Sequence, residues 1–585
     1  MDSATMNLLP GDNRSIGQLE AKVVAAFLGA AVGDALGWPW EYRVRHAGGK
    51  AQERAYSLMF ESWIKRSGGR FMPHEEQIQA GEYSDDTQLT LALVRSMSGH
   101  IDWWHDFAFV ELPLWTLCER GGGSATKRAA ATLASGKLPW VGKSKDVEKY
   151  FQAGGNGVAM RTLPNAVVGM AESQFASTAW SVMAQGVTTH AHPRGLVGAI
   201  AYAFALRTVL SSNSPLAYGQ LVIETLDRAS EWGALPNIED AWNDWRPTAD
   251  SFCEGNYARL WDQTVHEMVE LLKICREGMS KGALAVDRAT MEKLGCFDPS
   301  WKGAGTVAAA TAIFLASRYA ASPANGLICA ATSHGADTDT IASMTGALLG
   351  AIGGIEWGGP SVHMLQDNDY IRGTALRAIR PGQKRPARRR VTQRDLDSLY
   401  AALLKQEHAI QLPDGRIVES IVKGPAVSRS PGTGVNSWLI RSEDGQTLHV
   451  KKVFKNKEVK SPQLPLSEVR PEPVEDIVMM SVQVPTKDMT RAKYFYVNVL
   501  GLKVVKETAR TVNFGALTLR TTDSADFDRH FANIVVFIET RGLSAYKSRL
   551  ENALRREVPI TTSSQGAKTI RVMDPDGHTI ELVQR

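Results

Sequence analysis

Two short acidic motifs constrain the fold of this chain more than any other feature of its sequence. Residues 81–87 (Gly-Glu-Tyr-Ser-Asp-Asp-Thr) and residues 334–340 (His-Gly-Ala-Asp-Thr-Asp-Thr) each lead into an apolar segment with helical spacing. Helix N-termini carry unpaired N–H groups and a partial positive charge, so acidic side chains are favourable there. Carboxylates this close in sequence nevertheless repel each other unless a cation offsets their charge. Each motif therefore predicts a helix start where negative charge is concentrated.

Two interpretations of these motifs compete. In the simpler one they are helix caps, to which Ser84 and Thr338 contribute. In the other, their carboxylate and hydroxyl oxygens bind hard divalent ions such as Mg²⁺ or Mn²⁺, which prefer oxygen ligands. Either motif alone favours the cap. Two such clusters, about 250 residues apart in sequence, could meet in space and hold a pair of metal ions.

Several segments resemble the ADP-ribosylglycohydrolases. Residues 24–41 (Val-Ala-Ala-Phe-Leu-Gly-Ala-Ala-Val-Gly-Asp-Ala-Leu-Gly-Trp-Pro-Trp-Glu) are similar to that family's opening helix and its Gly-Asp-Ala-Leu-Gly-x-Pro-x-Glu signature. The Ser-Asp-Asp-Thr and Asp-Thr-Asp-Thr motifs match its two metal-binding motifs, and residues 155–161 (Gly-Asn-Gly-Val-Ala-Met-Arg) and 189–192 (Thr-His-Ala-His) match two further blocks. Two positions depart from the family pattern: Ser84 replaces the usual Thr, and Ala336 replaces a frequent second Gly.

The resemblance implies an activity and a metal centre. Members of this family cleave the bond between ADP-ribose and an acceptor, and they hold two Mg²⁺ or Mn²⁺ ions at the ribose. The residues implied as metal ligands are Ser84, Asp85, Asp86, Asp337, Asp339 and Thr340. The residues implied in catalysis are Glu41, Asp85 and Asp339, with Glu41 as an acid or base or as support for a ligand.

The resemblance also implies a set of substrate contacts. The implied residues are Gly155, Asn156, Gly157, Arg161, His190 and His192. The glycines would let backbone N–H groups approach the pyrophosphate, although ordinary turns use the same residues. Arg161 has a structural alternative, pairing with a buried acid, and the two histidines also suit hydrogen-bonded structural positions. Three aromatic residues beside the motifs either line the cleft or pack in the core: Trp38, Trp40 and Tyr83.

Composition sets broader limits. With 585 residues and 44% apolar content, the chain can bury large cores and is expected to form two or three domains. Residues 1–20 are polar and lack a secretory signal, and the longest apolar runs are interrupted short of a membrane span. Five cysteines without C-x-x-C spacing favour a reducing compartment over a disulfide framework. We therefore expect a cytoplasmic protein without a membrane association.

A run of basic residues follows the acidic motifs. It carries eight cations with no acidic residue among them: Arg377, Arg380, Lys384, Arg385, Arg388, Arg389, Arg390 and Arg394. Such a run can contact nucleic acid, but it is more commonly a solvated linker. No aromatic residues alternate with these cations to stack on bases. We interpret residues 376–395 as a basic linker at a domain boundary, with nucleic-acid binding as the less favoured alternative.

The hydrophobic pattern changes along the chain. After a tail (residues 1–20), residues 21–375 are mostly helical in pattern and rich in small residues, which suits closely packed central helices. No alternating stretch or hairpin turn predicts a sheet in this domain. Residues 396–470 begin with a short helix and continue as two β-hairpins around Pro-Asp-Gly and Glu-Asp-Gly turns. They form either a separate β-rich module or a platform for their neighbour.

The last segment, residues 476–585, has a repeated β-α-β-β(-β) pattern. It resembles the vicinal oxygen chelate fold of glyoxalases and bleomycin-resistance proteins, in the Tyr-Phe-Tyr-Val-Asn-Val-Leu-Gly segment at 494–501 and in residues 573–582. Metal-bearing members of that group place a His near the start of each half and a Glu in the last strand. Glu581 matches the Glu, but Met479 and Asn533 stand at the expected His positions. We therefore expect a binding or structural domain without a metal.

These features together predict a multidomain protein with an all-α ADP-ribosylglycohydrolase-like domain, a β-rich middle region and an α+β glyoxalase-like C-terminal domain. The expected function is metal-dependent removal of ADP-ribose from a modified protein side chain or a small acceptor. Two alternatives belong to other functional classes. The first domain would bind ADP-ribose without turnover, or the C-terminal domain would sequester a ligand.

Overall fold

The structure, a computed structural model, divides into two compact units, Met1–Lys457 and Glu458–Arg585. The described residues of the N-terminal unit are 13–46, 57–142, 145–282, 286–406 and 410–456. Those of the C-terminal unit are 477–478, 482–486, 488–508, 510–514, 517–521, 535–540, 542–554, 557–562, 568–575 and 578–584. Residues 1–12 of the expected tail and residues 457–470 of the expected β-rich region lie outside these ranges.

Two helices at the centre of the N-terminal unit approach each other unusually closely. The helix Asn13–His46 runs against the helix Thr338–Gly353. A Cβ atom added at Gly33 would lie 2.1 Å from the carbonyl oxygen of Ala342, and one added at Gly37 would lie 2.2 Å from that of Thr338. Only glycine leaves room for backbones at this distance. The small residues predicted to permit close packing therefore set the position where the second acidic motif begins.

The remaining helices of the N-terminal unit surround this pair. The long ones are amphipathic or buried on all sides, as expected for layers around one core. Their bounds are Asp85–Gly99, Trp103–Asp106, Leu112–Trp115, Ser124–Ala134, Lys145–Phe151, Leu163–Val168, Phe175–Gly186, Pro193–Ser211, Gln220–Asp227, Ala229–Trp232, Trp245–Phe252, Tyr257–Ser280, Asp287–Lys293, Gly305–Arg318, Pro323–Ala331, Pro360–Met364, Asn368–Ile379 and Gln393–Lys405. A π-helical turn spans Phe107–Glu111, and short 3-10 turns span Ala159–Arg161, Gly169–Ala171 and Glu356–Gly358.

One described helix, Pro193–Ser211, is long and apolar enough by length and composition to cross a membrane. In the structure 78% of its apolar window is buried in the protein. It packs against the helices Phe175–Gly186 and Gly305–Arg318. Its apolar character is thus used for packing within this unit.

The helical domain contains a β-hairpin that the sequence does not predict. The strands Trp63–Ser67 and His74–Ile78 pair antiparallel, and Ala426–Ser428 adds a third strand beside the second. The expectation of a domain without a sheet is wrong here. The inward-facing residues of the hairpin include Lys65, His74 and Glu76. Buried and more exposed residues therefore alternate along the second strand, but apolar and polar residues do not, which is why the sequence pattern does not show it.

The β-rich region belongs to the same compact unit as the helices. Its strands Val418–Lys423, Thr433–Ser442 and Thr447–Lys455 form an antiparallel sheet. The predicted Glu-Asp-Gly turn joins the last two, and the Pro-Asp-Gly turn is closed by a bridge between Gln411 and Ile417. Because this region also supplies the strand beside the helical domain's hairpin, the described part is a platform for its neighbour.

The basic run differs from a solvated linker. Its beginning continues the helix Asn368–Ile379, and residues 380–394, here called the basic strap, follow the surface of the helical domain. The Arg385 N–H donates to the carbonyl of Gly99, and the Val391 N–H donates to that of Phe109. Arg388 is held by two buried acids, described below. Sequence composition does not show such contacts, because the partners lie more than 270 residues away.

The C-terminal unit has the predicted repeated β-α-β pattern. Each half contains a parallel strand pair: Val482–Thr486 with Leu517–Thr521, and Val535–Thr540 with Thr579–Gln584. The other described strands are Ile477–Val478, Lys506–Glu507, Thr511–Asn513, Thr561–Thr562 and Lys568–Met573. The described helices are Met489–Tyr494, continued by a π-turn over Phe495–Val499, and Leu543–Leu554. The predicted multidomain fold, helical first and β-rich later, is therefore confirmed.

Candidate active site

The first acidic motif begins the helix Asp85–Gly99. Ser84 is its N-cap, and the Ser84 side chain accepts a hydrogen bond from the Asp86 N–H at 3.4 Å. The Ser84 and Thr87 backbone N–H groups both donate to the fully buried carboxylate of Asp34, at 3.0 Å each, and the Thr87 hydroxyl donates to it at 2.6 Å. Asp34 thus fixes the motif from the neighbouring helix. Sequence reasoning included it in a signature but gave it no role.

The second acidic motif begins the helix Thr338–Gly353 and lies beside the first. The Thr338 hydroxyl donates to the carbonyl of Gly37 at 2.9 Å, which ties this helix start to the central helix. The Thr340 hydroxyl lies 3.4 Å from Asp86 Oδ2, across 254 residues of sequence. The structure therefore brings the two motifs together, as the metal interpretation requires. The motifs also act as helix starts, so the two interpretations are compatible.

The acids of the two motifs form a buried cluster of like charge. Burial raises the pKa of Asp85, Asp86 and Asp339 well above the ordinary aspartate value. Repulsion adds to this effect, from Asp34, Asp85 and Asp337 on Asp86 and from Glu41, Asp337 and Asp86 on Asp339. Such a cluster is stable only with protons or a cation to offset its charge.

One oxygen of the cluster has no hydrogen bond in the described part of the chain. Asp86 Oδ1 is buried and lacks a donor there, while Asp86 Oδ2 is within 3.4 Å of the hydroxyls of both Ser84 and Thr340. A buried carboxylate oxygen without a donor costs free energy. This oxygen is therefore a candidate ligand for a cation.

The donor set fits a hard divalent ion in chemical type. It is made only of carboxylate and hydroxyl oxygens, as Mg²⁺ and Mn²⁺ prefer. In the ranges that the structure describes, no three His, Cys, Asp or Glu side chains form a group that could by itself hold an ion. The hydroxyls of Ser84 and Thr340 lie beside Asp86 Oδ2 and add oxygen atoms to the carboxylate set.

The cluster lies in a cleft of about 730 Å³. A Cβ atom added at Gly121 would lie 2.9 Å from Asp85 Oδ1, so this glycine leaves space for the carboxylate. Cations also line the cleft: Lys127, Arg128 and Lys149. The predicted site residues among its lining are Glu41, Asp85, Asp86, Gly155, Asn156, Gly157, His190, Asp337, Asp339 and Thr340.

The glycine-rich block forms one wall of the cleft. The Asn156 side chain donates to Asp337 Oδ2 at 3.1 Å, and its backbone N–H donates to the carbonyl of Gly303 at 2.9 Å. A Cβ atom added at Gly157 would lie 2.8 Å from His190 Cε1, so the ring and the loop pack directly together. This wall is therefore connected to the second acidic motif by a hydrogen bond.

His190 lines the cleft as a neutral ring. Burial lowers its pKa to about 3, and the charges of Arg161 and Arg128 act in the same direction. Its Nδ1 lies 2.8 Å from the Thr189 hydroxyl. His190 is thus able to form a hydrogen bond with a ligand but brings no positive charge at neutral pH.

Two predicted substrate contacts lie behind the cleft wall. Arg161 is fully buried and donates to Gln185 Oε1, the Gly157 carbonyl and the Thr189 hydroxyl, each at 2.7 Å. It supports the glycine-rich block, and its hydrogen-bond partners are neutral groups and not a buried acid. His192 caps the helix Pro193–Ser211 by accepting from the Arg194 N–H at 3.2 Å. Neither residue lines the cleft, because both serve local backbone structure.

The aromatic residues beside the motifs have mainly structural positions. Trp38 is buried between Lys65, 4.9 Å from the centre of its ring, and Arg120, 5.2 Å from it. Tyr83 is buried and donates to Asp367 Oδ2 at 2.8 Å. Trp40 is half-buried and lies against the ring of His334 with 4.8 Å between centroids. Core packing is thus the role of the first two.

Comparison with known families agrees with these features. A family model described as ADP-ribosylglycohydrolase matches residues 16–387. A second model, described as the Glyoxalase/Bleomycin resistance protein/Dioxygenase superfamily, matches residues 479–582. Both resemblances predicted from the sequence are confirmed. Met479 and Asn533, the residues at the expected His positions of the second domain, lie outside the residues that the structure describes.

Individual relatives match shorter stretches. The ADP-ribosyl-[dinitrogen reductase] glycohydrolase of Rhodospirillum rubrum is 30% identical over 176 residues, which is 29% of this chain and 52% of the relative. The match thus spans about half the length of that curated relative. A solved "ADP-ribosylglycohydrolase-related protein complex" aligns over 63% of this chain and 100% of its own, with 20% identity and a TM-score of 0.40. A lactoylglutathione lyase from Agrobacterium tumefaciens aligns over 18% of this chain and 92% of its own, with 20% identity and a TM-score of 0.15.

The first family model covers well over half of the chain and includes both acidic motifs, the glycine-rich block and the cleft. The chain belongs to the ADP-ribosylglycohydrolase family.

Proposed function

We propose that this chain is a hydrolase that releases ADP-ribose from a modified protein side chain or small acceptor, with two divalent ions, Mg²⁺ or Mn²⁺, as cofactors. The observation that carries the proposal is the meeting of the two acidic motifs, with Thr340 Oγ1 3.4 Å from Asp86 Oδ2, in a cleft of about 730 Å³. A cleft of this size is typical of small-molecule sites, which measure about 300–1,000 Å³.

Six residues would hold the ions: Ser84, Asp85, Asp86, Asp337, Asp339 and Thr340. Bound divalent ions lower the pKa of a coordinated water and help to orient water and sugar. Buried, mutually repelling carboxylates have raised pKa values, and a cation would relieve that repulsion. Cation binding is therefore expected to stabilise the N-terminal unit as well as to support catalysis.

The chain's own carboxylates would supply the remaining chemistry. Cleavage of a ribosyl bond passes through an oxocarbenium-like transition state, which carries developing positive charge at C1″. Asp85 and Asp339 line the cleft and would stabilise that charge. Glu41 lines the same cleft and would act as the acid or base that moves a proton at the attacking water or the leaving atom.

The glycine-rich wall would bind the diphosphate. The backbone of Gly155, Asn156 and Gly157 can approach a phosphate closely, and Lys127 and Lys149 add positive charge to the cleft. His190 would donate a hydrogen bond as a neutral ring, because burial keeps its pKa at about 3. In this proposal the acids would face the ribose and the cations would face the phosphates.

The binding-protein alternative predicts ligand affinity without turnover. A panel of ADP-ribosylated arginine, serine and DNA substrates, assayed with Mg²⁺ and with a chelator, would separate the two. We expect release of ADP-ribose from at least one acceptor with Mg²⁺ and loss of that release with the chelator. Binding of ADP-ribose with no release from any acceptor would contradict the hydrolase.

A further inference from the structure

The backbone of the basic strap (residues 380–394) is bonded to the helical domain at three positions: Arg385, Arg388 and Val391. At one end its backbone pairs with the helical domain: the Arg385 N–H donates to Gly99 O at 3.0 Å, and the Ile101 N–H donates to Arg385 O at 2.9 Å. At the other end the Val391 N–H donates to Phe109 O at 2.8 Å. These contacts hold the irregular residues 380–392 in one conformation, and Gln393 and Arg394 begin the helix Gln393–Lys405.

A buried ion cluster fixes its middle. Arg388 Nη2 lies 2.6 Å from Asp106 Oδ2 and 2.6 Å from Glu111 Oε1, and both acids are at most 1% exposed. The Arg388 backbone N–H also donates to Asp106 Oδ1 at 3.1 Å. Buried acids of this kind require their cation. Arg388 is therefore an anchor and is unavailable to an external ligand.

The other cations of the run point outward. Those with exposed residues are Arg377, Arg380, Lys384, Arg385, Arg389, Arg390 and Arg394. Two of them have acidic partners: Arg380 pairs with Glu20, and Arg389 pairs with Asp395. Arg390 lies over the Phe109 ring with its Cζ 4.1 Å from the centroid, which limits its conformations. The surface is thus a row of exposed cations, six arginines and one lysine, several of them carried by a backbone that is bonded to the helical domain.

From this geometry we propose that the basic strap binds the phosphodiester backbone of double-stranded nucleic acid without sequence preference. Arginine matches phosphate with two parallel hydrogen bonds, and a backbone already held in one conformation loses less conformational entropy on binding. A segment of 15 residues extends at most about 50 Å, which is the length of about 15 base pairs.

The chemistry favours this partner over other polyanions. An acidic membrane surface usually also takes up apolar side chains, whereas the residues between Arg380 and Arg394 include two exposed prolines, Pro381 and Pro386, and a single buried apolar residue, Val391. Aromatic residues for base stacking are absent from this stretch of sequence, so single strands would gain little. Repeated phosphates on a duplex match repeated guanidinium groups best.

The test measures binding of the full chain to a fluorescent duplex of about 20 base pairs of random sequence, across a series of NaCl concentrations. The strap variant replaces Lys384, Arg385, Arg390 and Arg394 by Gln and keeps Arg388. The matched control replaces Arg259, Arg276, Lys423 and Lys455 by Gln, four exposed cations outside the strap. Thermal unfolding of both variants verifies that the fold is retained.

We expect the strap variant to bind the duplex at least about 10-fold more weakly. The slope of log affinity against log salt concentration should also become shallower, by about 0.9 for each phosphate that the variant no longer neutralises. The control should bind like the unmodified chain. Equal weakening in both variants would overturn the proposal, as would equal or tighter binding to anionic vesicles or polyglutamate. Hydrolysis of small ADP-ribosylated substrates should be unchanged in the strap variant, so this test is independent of the proposed function.

Discussion

The acids of the cleft and Glu581 of the C-terminal unit both stand where the resemblances imply metal ligands, but their surroundings differ. Asp86 Oδ1 is buried without a hydrogen-bond donor among the described residues, and burial raises the pKa of Asp86. Glu581 Oε2 instead lies 2.8 Å from Arg571 Nε. A carboxylate paired with arginine has its charge offset, whereas buried acids that repel one another need a cation or protons. Metal binding should therefore be confined to the cleft.

The N-terminal unit repeats the contrast around a single helix. At the start of the helix Asp85–Gly99, Asp86 lies close enough to other acids for their negative charges to raise its pKa. Beside its later turns, Glu111 Oε2 lies 2.6 Å from Arg95 Nη2 and Glu111 Oε1 lies 2.6 Å from Arg388 Nη2. Arginine pairing makes the second site structural. The following predictions test the difference between acids that pair with arginine and the mutually repelling acids of the cleft.

The largest effect is expected from Asp339→Asn. Loss of this carboxylate should lower metal-dependent release of ADP-ribose by at least about 1,000-fold, or roughly 4 kcal/mol. Without metal the variant should unfold at the same temperature or higher, because one of several repelling acids is gone. Activity assays with Mg²⁺ and thermal unfolding in chelator measure both effects. Glu581→Gln is the matched control, and an equal loss of activity there would contradict the account.

Arg388→Met should destabilise the N-terminal unit by about 3–5 kcal/mol, because Asp106 and Glu111 would remain buried with too little positive charge. Denaturant unfolding gives this difference. Arg385→Met, an exposed neighbour in the strap, should change stability by no more than about 0.5 kcal/mol. Similar stability of the two variants would show that the buried cluster does not anchor the strap.

The arginine-paired acids also predict a pH dependence. Burial alone would raise the pKa of Glu111, but Arg95 and Arg388 lower it to about 2, from 4.5 for a free side chain. This lowered pKa stabilises the folded state above about pH 4.5, and the contribution is lost as pH falls toward 2. The free energy difference between the unmodified chain and Glu111→Gln should therefore shrink over that interval. A free energy difference that stays constant between pH 4.5 and pH 2 would mean that the ion pairs of Glu111 do not produce it.

The smallest effect is expected at Glu581. With Arg571 already paired to it, Glu581→Ala should leave the affinity of the Asp339→Asn chain for Ni²⁺ and Zn²⁺ unchanged. Isothermal titration calorimetry on the full chain measures this. A site of micromolar or tighter affinity that the substitution abolishes would disprove a metal-free C-terminal unit.

Much of the site was predictable because its signals are local. Both acidic motifs begin apolar helices, and small residues let the central helices approach closely, as the pattern indicated, whereas the meeting of the motifs in one site was implied by the family resemblance. The glycine-rich block and His190 line the cleft, which the family resemblance implied and the residues alone left open. The helix starts and the close helix packing are encoded in short stretches of residues with a clear electrostatic or steric reason.

The parts that escaped prediction depend on distant partners. Arg161 is an arginine in a matched motif, yet its hydrogen bonds to Gln185 and Thr189 place it behind the wall. The hairpin beginning at Trp63 hides charged residues in the interior, which reverses the usual alternation. In the sequence nothing distinguishes Arg388 from the other cations of the basic run, because its partners Asp106 and Glu111 come from distant positions in the chain. Tertiary pairing of charge cannot be inferred from the composition of one segment.

Anomalous X-ray diffraction from crystals of the full chain grown with Mn²⁺ tests the central claim most directly. The account predicts two manganese peaks per chain in the cleft, with Asp86 and Asp339 oxygens at bonding distance, and no peak at Glu581. Loss of both peaks in Asp86→Asn crystals, with the fold unchanged, would show that the Asp86 carboxylate is needed to bind the ions. An unoccupied cleft in well-ordered crystals at saturating Mn²⁺, or a peak at Glu581 instead, would contradict it.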